Sequence, residues 1–240
     1  MPLNILSLPG KLMKRIAILI SNKGTGSNLE AIIKAIEVGE ITNGKIVVVV
    51  SNKKDAYGVT RAKKHKIPTE IFDLKQYLSR GRSRVEYDSV LGKLLKDKYK
   101  VDLVVLAGWL LILSDNFIKY FPNKVMNLHP GLLPDGRKDY IKLSDGTKII
   151  AIRGLHTENA VQFAVDQGYK VTGSTVHFIT SKVDEGPVIL RSEIKILSDD
   201  TIRSLYERMK KEEHKILPKA IGLYCDGKLK IRSGKVIISK

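Results

Sequence analysis

Cysteine and tryptophan are almost absent from this chain, with one residue of each, Cys225 and Trp109, among 240 residues. A single cysteine excludes an intramolecular disulfide and a cysteine-based metal cluster, which fits a reducing compartment. Aromatic residues make up only 6% of the chain and do not alternate with basic residues, which argues against a base-stacking surface for nucleic acid. No apolar run is long enough to cross a membrane, and the first residues lack the apolar segment of a secretory signal. We therefore expect a cytoplasmic protein without a membrane partner.

Acidic residues are also scarce, since 25 Asp and Glu stand against 42 Lys and Arg and give a net charge of +17. The basic residues are spread over several segments instead of forming one arm: 61–66, 93–100, 208–211 and 228–240. This distribution favours a solvated basic surface that attracts anionic small molecules. Binding to nucleic acid is the less favoured alternative.

The length suits one large domain or two closely joined halves. The first clear strand pattern begins after Met13, so residues 1–13 are predicted to be a loosely attached extension, and Met13 is a candidate start. The predicted organisation is one domain over 14–230 with halves at about 14–121 and 122–230, followed by a basic tail over 231–240.

Apolar runs and amphipathic segments alternate along the first half. Runs at 15–20, 46–50 and 103–106 are typical of buried parallel strands. Helical patterns separate them, and a further extended piece is expected around Ile71. Strands that alternate with helices predict a doubly wound, mostly parallel α/β sheet.

The second half departs from this alternation. Asp-Gly turn signals inside residues 135–153 predict a hairpin-like insert. The elements predicted beyond the insert are a helix over 157–167, strands over 171–179 and 188–196, and a helix over about 201–216 that ends before Pro218.

Asn127 and His129 are the first candidate catalytic residues. They are two positions apart in an apolar run, so on a strand they share one face. Pro130 removes a backbone donor and favours an extended His129, which places the pair at the strand's end, where α/β sheets usually carry chemistry. Asp184, in a Val-Asp-Glu-Gly-Pro loop, would complete a proton-transfer trio by orienting the imidazole and favouring its protonated form. A turn asparagine, a core histidine and a polar turn at Asp184 are the alternatives.

Gly26, Ser27 and Asn28 lie in a glycine-rich turn between the first strand and the first helix. Backbone N–H groups and a helix N-terminus at such a turn favour a phosphate. The dinucleotide fingerprint needs a third glycine where Leu29 stands and an acidic residue where 51–53 read Ser-Asn-Lys. A phosphate monoester is therefore favoured over NAD, and a plain tight turn is the alternative.

Four of the five histidines fall in the second half, but no two have metal-ligand spacing. We expect no metal site. His156 and His177 are secondary candidates for the catalytic site.

The order of these motifs resembles phosphoribosylglycinamide formyltransferases, folate-dependent enzymes of purine synthesis. The resemblance covers roughly residues 14–230, and its most diagnostic parts are Asn-Leu-His-Pro at 127–130 and Asp-Glu-Gly-Pro at 184–187. Further matching motifs are Lys-Gly-Thr-Gly-Ser-Asn at 23–28, Ser-Asn-Lys at 51–53, Leu-Ala-Gly-Trp at 106–109 and Gly-Leu-His at 154–156.

The resemblance implies a Rossmann-like formyltransferase fold and formyl transfer from 10-formyltetrahydrofolate to the amine of glycinamide ribonucleotide. Asn127, His129 and Asp184 would be the catalytic trio. An amine needs no covalent enzyme intermediate, and the Asn127 amide and a protonated His129 would stabilise the tetrahedral oxyanion. A homo-oligomer is compatible with the resemblance.

The same resemblance implies two sets of binding residues. The ribonucleotide set is Gly26, Ser27, Asn28, Lys210 and Glu213. The folate set is Arg84, Trp109, Leu110, Leu111, Ile112, Leu113, Ile118, Val125, Thr180 and Val183.

Two departures from the family concern the folate side. Leu110 and Leu111 stand where Met-Arg is common, which leaves Arg84 as the candidate partner of the folate glutamate carboxylate. The insert at 135–153 replaces a connection of a few residues, and a lid, an oligomer contact or a passive excursion are its open interpretations.

Three rival functions are considered. Methionyl-tRNA formyltransferase is disfavoured because little chain follows the last helix, and formyltetrahydrofolate hydrolase because residues 1–13 are too few for a regulatory domain. A non-catalytic nucleic-acid-binding α/β module would bind with a steep salt dependence.

Overall fold

Eleven strands and seven α-helices form the described part of the chain, which in this computed structural model comprises residues 12–21 and 25–239. Most of the predicted N-terminal extension, residues 1–11, lies outside it. The strands are β1 (Lys14–Ile20), β2 (Gly44–Ser51), β3 (Thr69–Ile71), β4 (Leu103–Leu106), β5 (Val125–His129), β6 (Tyr140–Lys142), β7 (Lys148–Ile150), β8 (Val171–Phe178), β9 (Val188–Lys195), β10 (Leu229–Arg232) and β11 (Lys235–Ile238).

The helices follow the predicted alternation with the strands of the first half. They are α1 (Ser27–Glu37), α2 (Tyr57–Lys64), α3 (Leu74–Leu78), α4 (Arg84–Lys93), α5 (Asp115–Ile118), α6 (Thr157–Asp166) and α7 (Ile202–Cys225). A π-helical turn, Leu94–Lys98, continues α4. No helix in the described residues has the length and apolar character needed to cross a bilayer.

Seven strands form one sheet in the order β3-β2-β1-β4-β5-β8-β9. The first five are parallel, and β8 and β9 are antiparallel to their neighbours. Side chains of β1 alternate between two cores: Ile16 and Ile18 pack with α1 and α7, while Ala17 and Leu19 pack with α4. Helices thus cover both faces, and the predicted mostly parallel α/β sheet is confirmed.

The parallel topology brings three polar segments to one edge of the sheet. β1, β4 and β5 are neighbours and run in the same direction, so their carboxyl ends lie side by side. Thr25 and Gly26 before α1, the segment after Leu106, and His129 at the end of β5 lie at this edge. This is the edge at which open α/β sheets bind ligands. Residues 22–24, which include Lys23 and Gly24 of the glycine-rich motif, lie outside the described part of the chain.

Gly26 is the N-cap of α1 and has a φ of 67°, in the left-handed region. A Cβ atom at this position would lie 2.8 Å from the Cα atom of Gly58 in α2. The two glycines therefore let α1 and α2 approach closely. No side chain of the described residues caps the N-terminus of α1, and its first residues line a cavity.

The insert forms the predicted hairpin, in which β6 and β7 pair with Ile141 opposite Ile149. Both isoleucines are buried with Leu132 and Leu143. The insert therefore has its own small core, which fixes it against the segment that follows β5.

The predicted end of the last helix is wrong. α7 continues to Cys225 with Pro218 inside it. Proline removes one helical hydrogen bond, but Leu217 and Ile221 are fully buried, so packing of the continued apolar stripe outweighs that loss.

The residues that follow α7 also differ from the predicted basic tail. β10 and β11 form an antiparallel hairpin that includes residues 231–238. Leu229, Ile231 and Val236 pack against the main core between the lysines. The apolar alternation, and not the charge, decides the structure of this segment.

Replacing Gly26 with alanine should destabilise the protein more than the same change at Gly39. Both residues have positive φ, 67° and 79°, so both changes cost about 1–2 kcal/mol of backbone strain. Only Gly26→Ala adds a clash with backbone, because nothing lies within 4 Å of a Cβ at Gly39. Urea unfolding measures both losses, and equal losses would show that the contact with Gly58 is unimportant.

Candidate active site

Four predicted residues form a continuous polar chain at the end of β5. The Asn127 Nδ2 atom lies 3.2 Å from His177 Nε2. His177 Nε2 is 3.5 Å from one Asp184 oxygen, and His129 Nδ1 is 3.3 Å from the other. Asn127 and His177 face each other in the β5–β8 ladder, and Asp184 comes from the loop between β8 and β9. The structure thus brings the predicted trio together and joins His177 to it.

Asp184 is a buried carboxylate with several partners. Its side chain is 8% exposed, and it accepts a hydrogen bond from the Gly154 N–H at 2.8 Å. Burial alone would raise its pKa, but His177, His129 and the Gly154 N–H outweigh burial and lower the pKa to about 2. Asp184 is therefore ionised at neutral pH.

His129 is buried and neutral in this arrangement. Its Nε2 atom lies 2.6 Å from the carbonyl oxygen of Ile152, so the ring proton belongs on Nε2. Burial lowers the pKa of His129 to about 4, although Asp184 acts in the opposite direction. Desolvation of the ring thus opposes the expected protonation of His129, while Asp184 favours it through a contact of 3.3 Å, longer than a strong charge-assisted hydrogen bond. A protonated His129 during the reaction stays a prediction.

A cavity of about 540 Å³ adjoins the glycine-rich turn. Gly26, Ser27 and Asn28 line one side of it, and Lys210 lines another. A smaller cavity next to it is lined by Asn127, His129, Asp184 and Glu213, and the two share Asn28, Gly108, Leu110, His156, Thr157 and Tyr206. The predicted phosphate turn and the predicted catalytic trio are therefore connected through adjoining space.

Glu213 is a buried acid at this junction. The Asn28 amide donates to one of its oxygens at 3.3 Å, and the Ser174 hydroxyl donates to the other at 3.0 Å. Burial raises the pKa of Glu213, and the two donors oppose that rise. Sequence reasoning missed Ser174, although a hydroxyl in the middle of a strand that is buried beyond its first residue is a signal that a polar partner is nearby.

A mostly apolar groove lies on the other side of Asn127. The predicted folate residues that line it are Trp109, Leu110, Leu111, Ile112, Leu113, Thr180 and Val183, together with His156 and Asp184. Arg84, Ile118 and Val125 do not line it. Val125 belongs to the core beneath, and the Arg84 guanidinium bonds the Asp88 carboxylate and the Ile112 carbonyl.

Tyr206 and Thr157 are among the residues lining the large cavity that sequence reasoning missed. Tyr206 lies one turn before Lys210, whose ammonium is 5.0 Å from the centre of its ring, and the i, i+4 spacing was the available signal. Thr157, the first residue of α6, has a φ of 50°, and nothing in its sequence context predicts this conformation. Within the described residues, no group of His, Cys, Asp and Glu side chains suits a metal ion.

His129 should make folding stability depend on pH. Its pKa is about 4 in the folded protein against an ordinary 6.5, so the folded state binds fewer protons between these values. The neutral His129 ring therefore contributes fully to the free energy of unfolding above pH 6.5, and this contribution is lost as the pH falls toward 4. When the pH is lowered from 7 to 5, the free energy of unfolding measured in urea should fall by roughly 2 kcal/mol more for the wild type than for His129→Gln. Identical pH dependence of the two proteins would contradict the assigned burial of the ring.

Comparison with known proteins identifies the family. The formyl transferase family model matches residues 14–221. A phosphoribosylglycinamide formyltransferase from Dictyostelium discoideum is 39% identical over 217 residues, which are 87% of this chain and 96% of the relative. A crystal structure of glycinamide ribonucleotide transformylase 1 from Symbiobacterium toebii has a TM-score of 0.81 at 38% identity and covers 95% of both chains.

Other relatives are much longer. The chain is 36% identical over 223 residues to the trifunctional purine biosynthetic protein adenosine-3 of Gallus gallus and spans about a fifth (20%) of its length. The family match over most of the chain and the relatives of similar length agree with the geometry of the site. The chain belongs to the formyl transferase family and, within it, to the phosphoribosylglycinamide formyltransferases.

Proposed function

We propose that this enzyme transfers the formyl group of 10-formyltetrahydrofolate to the amine of glycinamide ribonucleotide, a reaction of purine biosynthesis. The observation that carries the proposal is the polar chain Asn127–His177–Asp184–His129, which lies between the cavity at the phosphate turn and the apolar groove. One substrate on each side would bring an amine and a formyl group together at Asn127.

The ribonucleotide is proposed to occupy the cavity next to α1. Its phosphate would accept hydrogen bonds from the N–H groups of Gly26, Ser27 and Asn28, and Lys210 would add a positive charge. Glu213, held by Asn28 and Ser174, would accept from the ribose hydroxyls. These contacts would leave the glycinamide amine in the smaller cavity that Asn127 and His129 line.

The folate is proposed to lie in the groove formed by residues 109–113 and the loop that ends at Asp184. Leu110 and Leu111 would supply apolar contacts for the pterin. Arg84 is held next to Ile112, at the rim, where its charge suits the glutamate carboxylate of the folate.

In the reaction the amine attacks the formyl carbon, a new C–N bond forms, and negative charge collects on the formyl oxygen. The His177 Nδ1 atom is 3.0 Å from the Phe178 carbonyl and donates to it, so His177 Nε2 accepts one N–H of Asn127. The second N–H of the Asn127 amide is then available to the oxyanion. The C–N bond to folate breaks as the attacking nitrogen passes its proton, through water, to the leaving folate nitrogen.

Asp184 would hold His129 and stabilise the imidazolium if the ring takes up that proton during transfer. In the observed geometry the His129 Nε2–H donates to Ile152, so an oxyanion must compete with this carbonyl for the proton. Asn127 is therefore the more direct donor to the oxyanion.

We also propose that the enzyme works in the cytoplasm on small-molecule substrates, with no membrane or nucleic-acid partner. A homo-oligomer is compatible with this proposal. Sedimentation velocity distinguishes it from a monomer.

The proposed activity is tested by mixing the protein with 10-formyltetrahydrofolate and following the release of tetrahydrofolate. Turnover is expected with glycinamide ribonucleotide and not with water or methionyl-tRNA as the acceptor. Release with water alone would favour a hydrolase, and release with tRNA a tRNA formyltransferase. Steeply salt-dependent nucleic-acid binding without turnover would favour the non-catalytic alternative.

Ser174→Ala should weaken binding of the ribonucleotide without slowing chemistry, because Glu213 loses the donor that holds it. We expect KM for the ribonucleotide to rise about 5–10-fold, the effect of losing one hydrogen bond worth about 1–1.4 kcal/mol, with kcat nearly unchanged. Ser192→Ala is the matched control, since Ser192 pairs with Ser174 in the β8–β9 register and its hydroxyl has no partner among the described residues. Equal KM values for both variants would show that Ser174 does not contribute to ribonucleotide binding.

A further inference from the structure

Residues 152–154, the last two residues of the insert and the glycine that follows it, contact both ionisable members of the catalytic trio. Ile152 accepts from the His129 ring at 2.6 Å, and the Gly154 N–H donates to the Asp184 carboxylate at 2.8 Å. Arg153 lies between them and donates from Nε to the main-chain carbonyl of Asp184 at 3.3 Å. Three consecutive residues therefore hold one ring, one carboxylate and the backbone that carries the carboxylate.

The Arg153 guanidinium also ties the two ends of the insert together. Its Nη2 atom donates to the carbonyl of Gly136 at 3.1 Å and to that of Lys138 at 2.7 Å. Gly136 and Lys138 precede β6, and Arg153 follows β7. The fixed fork of an arginine suits contacts with several carbonyls at once.

Asp184 needs such support because its backbone is strained. Its φ is 55°, in the left-handed region, which costs a non-glycine residue about 1–2 kcal/mol. Such a conformation persists only where surrounding contacts determine it. Gly186 packs the other end of the loop tightly against β8, since a Cβ there would lie 1.7 Å from the Phe178 carbonyl oxygen.

We propose that Arg153 is a positioning residue for the catalytic carboxylate, and that the insert acts as a clamp that holds Asp184 against His129 and His177. The guanidinium bonds the Asp184 carbonyl and so fixes the strained backbone from which the carboxylate reaches the two rings. This proposal rests on the proposed function and assigns to the insert a role in the formyl transfer itself.

A second arginine of the insert provides a matched control. Arg137 pairs with Glu185, the neighbour of Asp184, at 2.9 Å, but its side chain is 69% exposed. An exposed ion pair contributes little to local structure. The clamp therefore requires Arg153 and not Arg137.

The test compares Arg153→Ala, Arg153→Lys and Arg137→Ala in the full chain. We expect Arg153→Ala to lower kcat about 10–100-fold while both KM values stay within about threefold, because binding residues are not touched. Arg153→Lys should recover part of the rate, and Arg137→Ala should resemble the wild type. Unchanged kcat in Arg153→Ala would overturn the proposal.

The pH profile separates positioning from a general loss of stability. If Asp184 moves away from its partners, its pKa rises from about 2 toward the ordinary 3.8, so the acid limb of kcat should shift upward in Arg153→Ala. Carbon NMR of the Asp184 carboxylate measures the same shift without substrates, and so tests the clamp even if the wild type shows no formyl transfer. A lower melting temperature with an unshifted Asp184 titration would also overturn the proposal.

Discussion

The ionised carboxylate of Asp184 is the group on which the rest of the site depends. A charge buried this deeply is unfavourable unless partners compensate it. Here the Gly154 N–H donates to the carboxylate, and ring nitrogens of two histidines lie within 3.5 Å of it. These partners come from β5, from β8 and from the residue that directly follows the insert. The environment of one charge therefore draws together three parts of the chain, and the hydrogen bond from His129 Nε2 to the Ile152 carbonyl orients the ring beside it.

The sheet explains why two substrates of different character can meet at this charge. The polar turn before α1 and the apolar segment after β4 follow neighbouring parallel strands, so they lie at the same edge of the sheet as the end of β5, which carries Asn127. The proposed phosphate site would use the N–H groups of the turn, and the proposed pterin site would use the apolar groove. The fold supplies both within reach of one amide.

Local patterns were enough to predict the sheet and much of the site, because period-2 spacing, a proline and glycine-rich turns act over a few residues. The end of α7 and the β10–β11 hairpin were not predicted, since distant packing of Ile221 and Ile231 outweighs the local signals of Pro218 and the lysines. Pairings such as Glu213 with Ser174 or Arg153 with Asp184 depend on the tertiary structure. The neutral state of His129 depends on how far burial outweighs a neighbouring charge, which the sequence does not specify.

The contribution of the Asp184 charge to the reaction is tested most directly by measuring kcat of Asp184→Asn at saturating concentrations of both substrates. The asparagine keeps the shape of the side chain and removes the charge, so KM should change little while kcat falls at least about 100-fold, the range of one acid–base group. Unchanged circular dichroism would show that the variant is folded. A kcat within about threefold of the wild type would contradict the claim that this buried carboxylate organises the reaction.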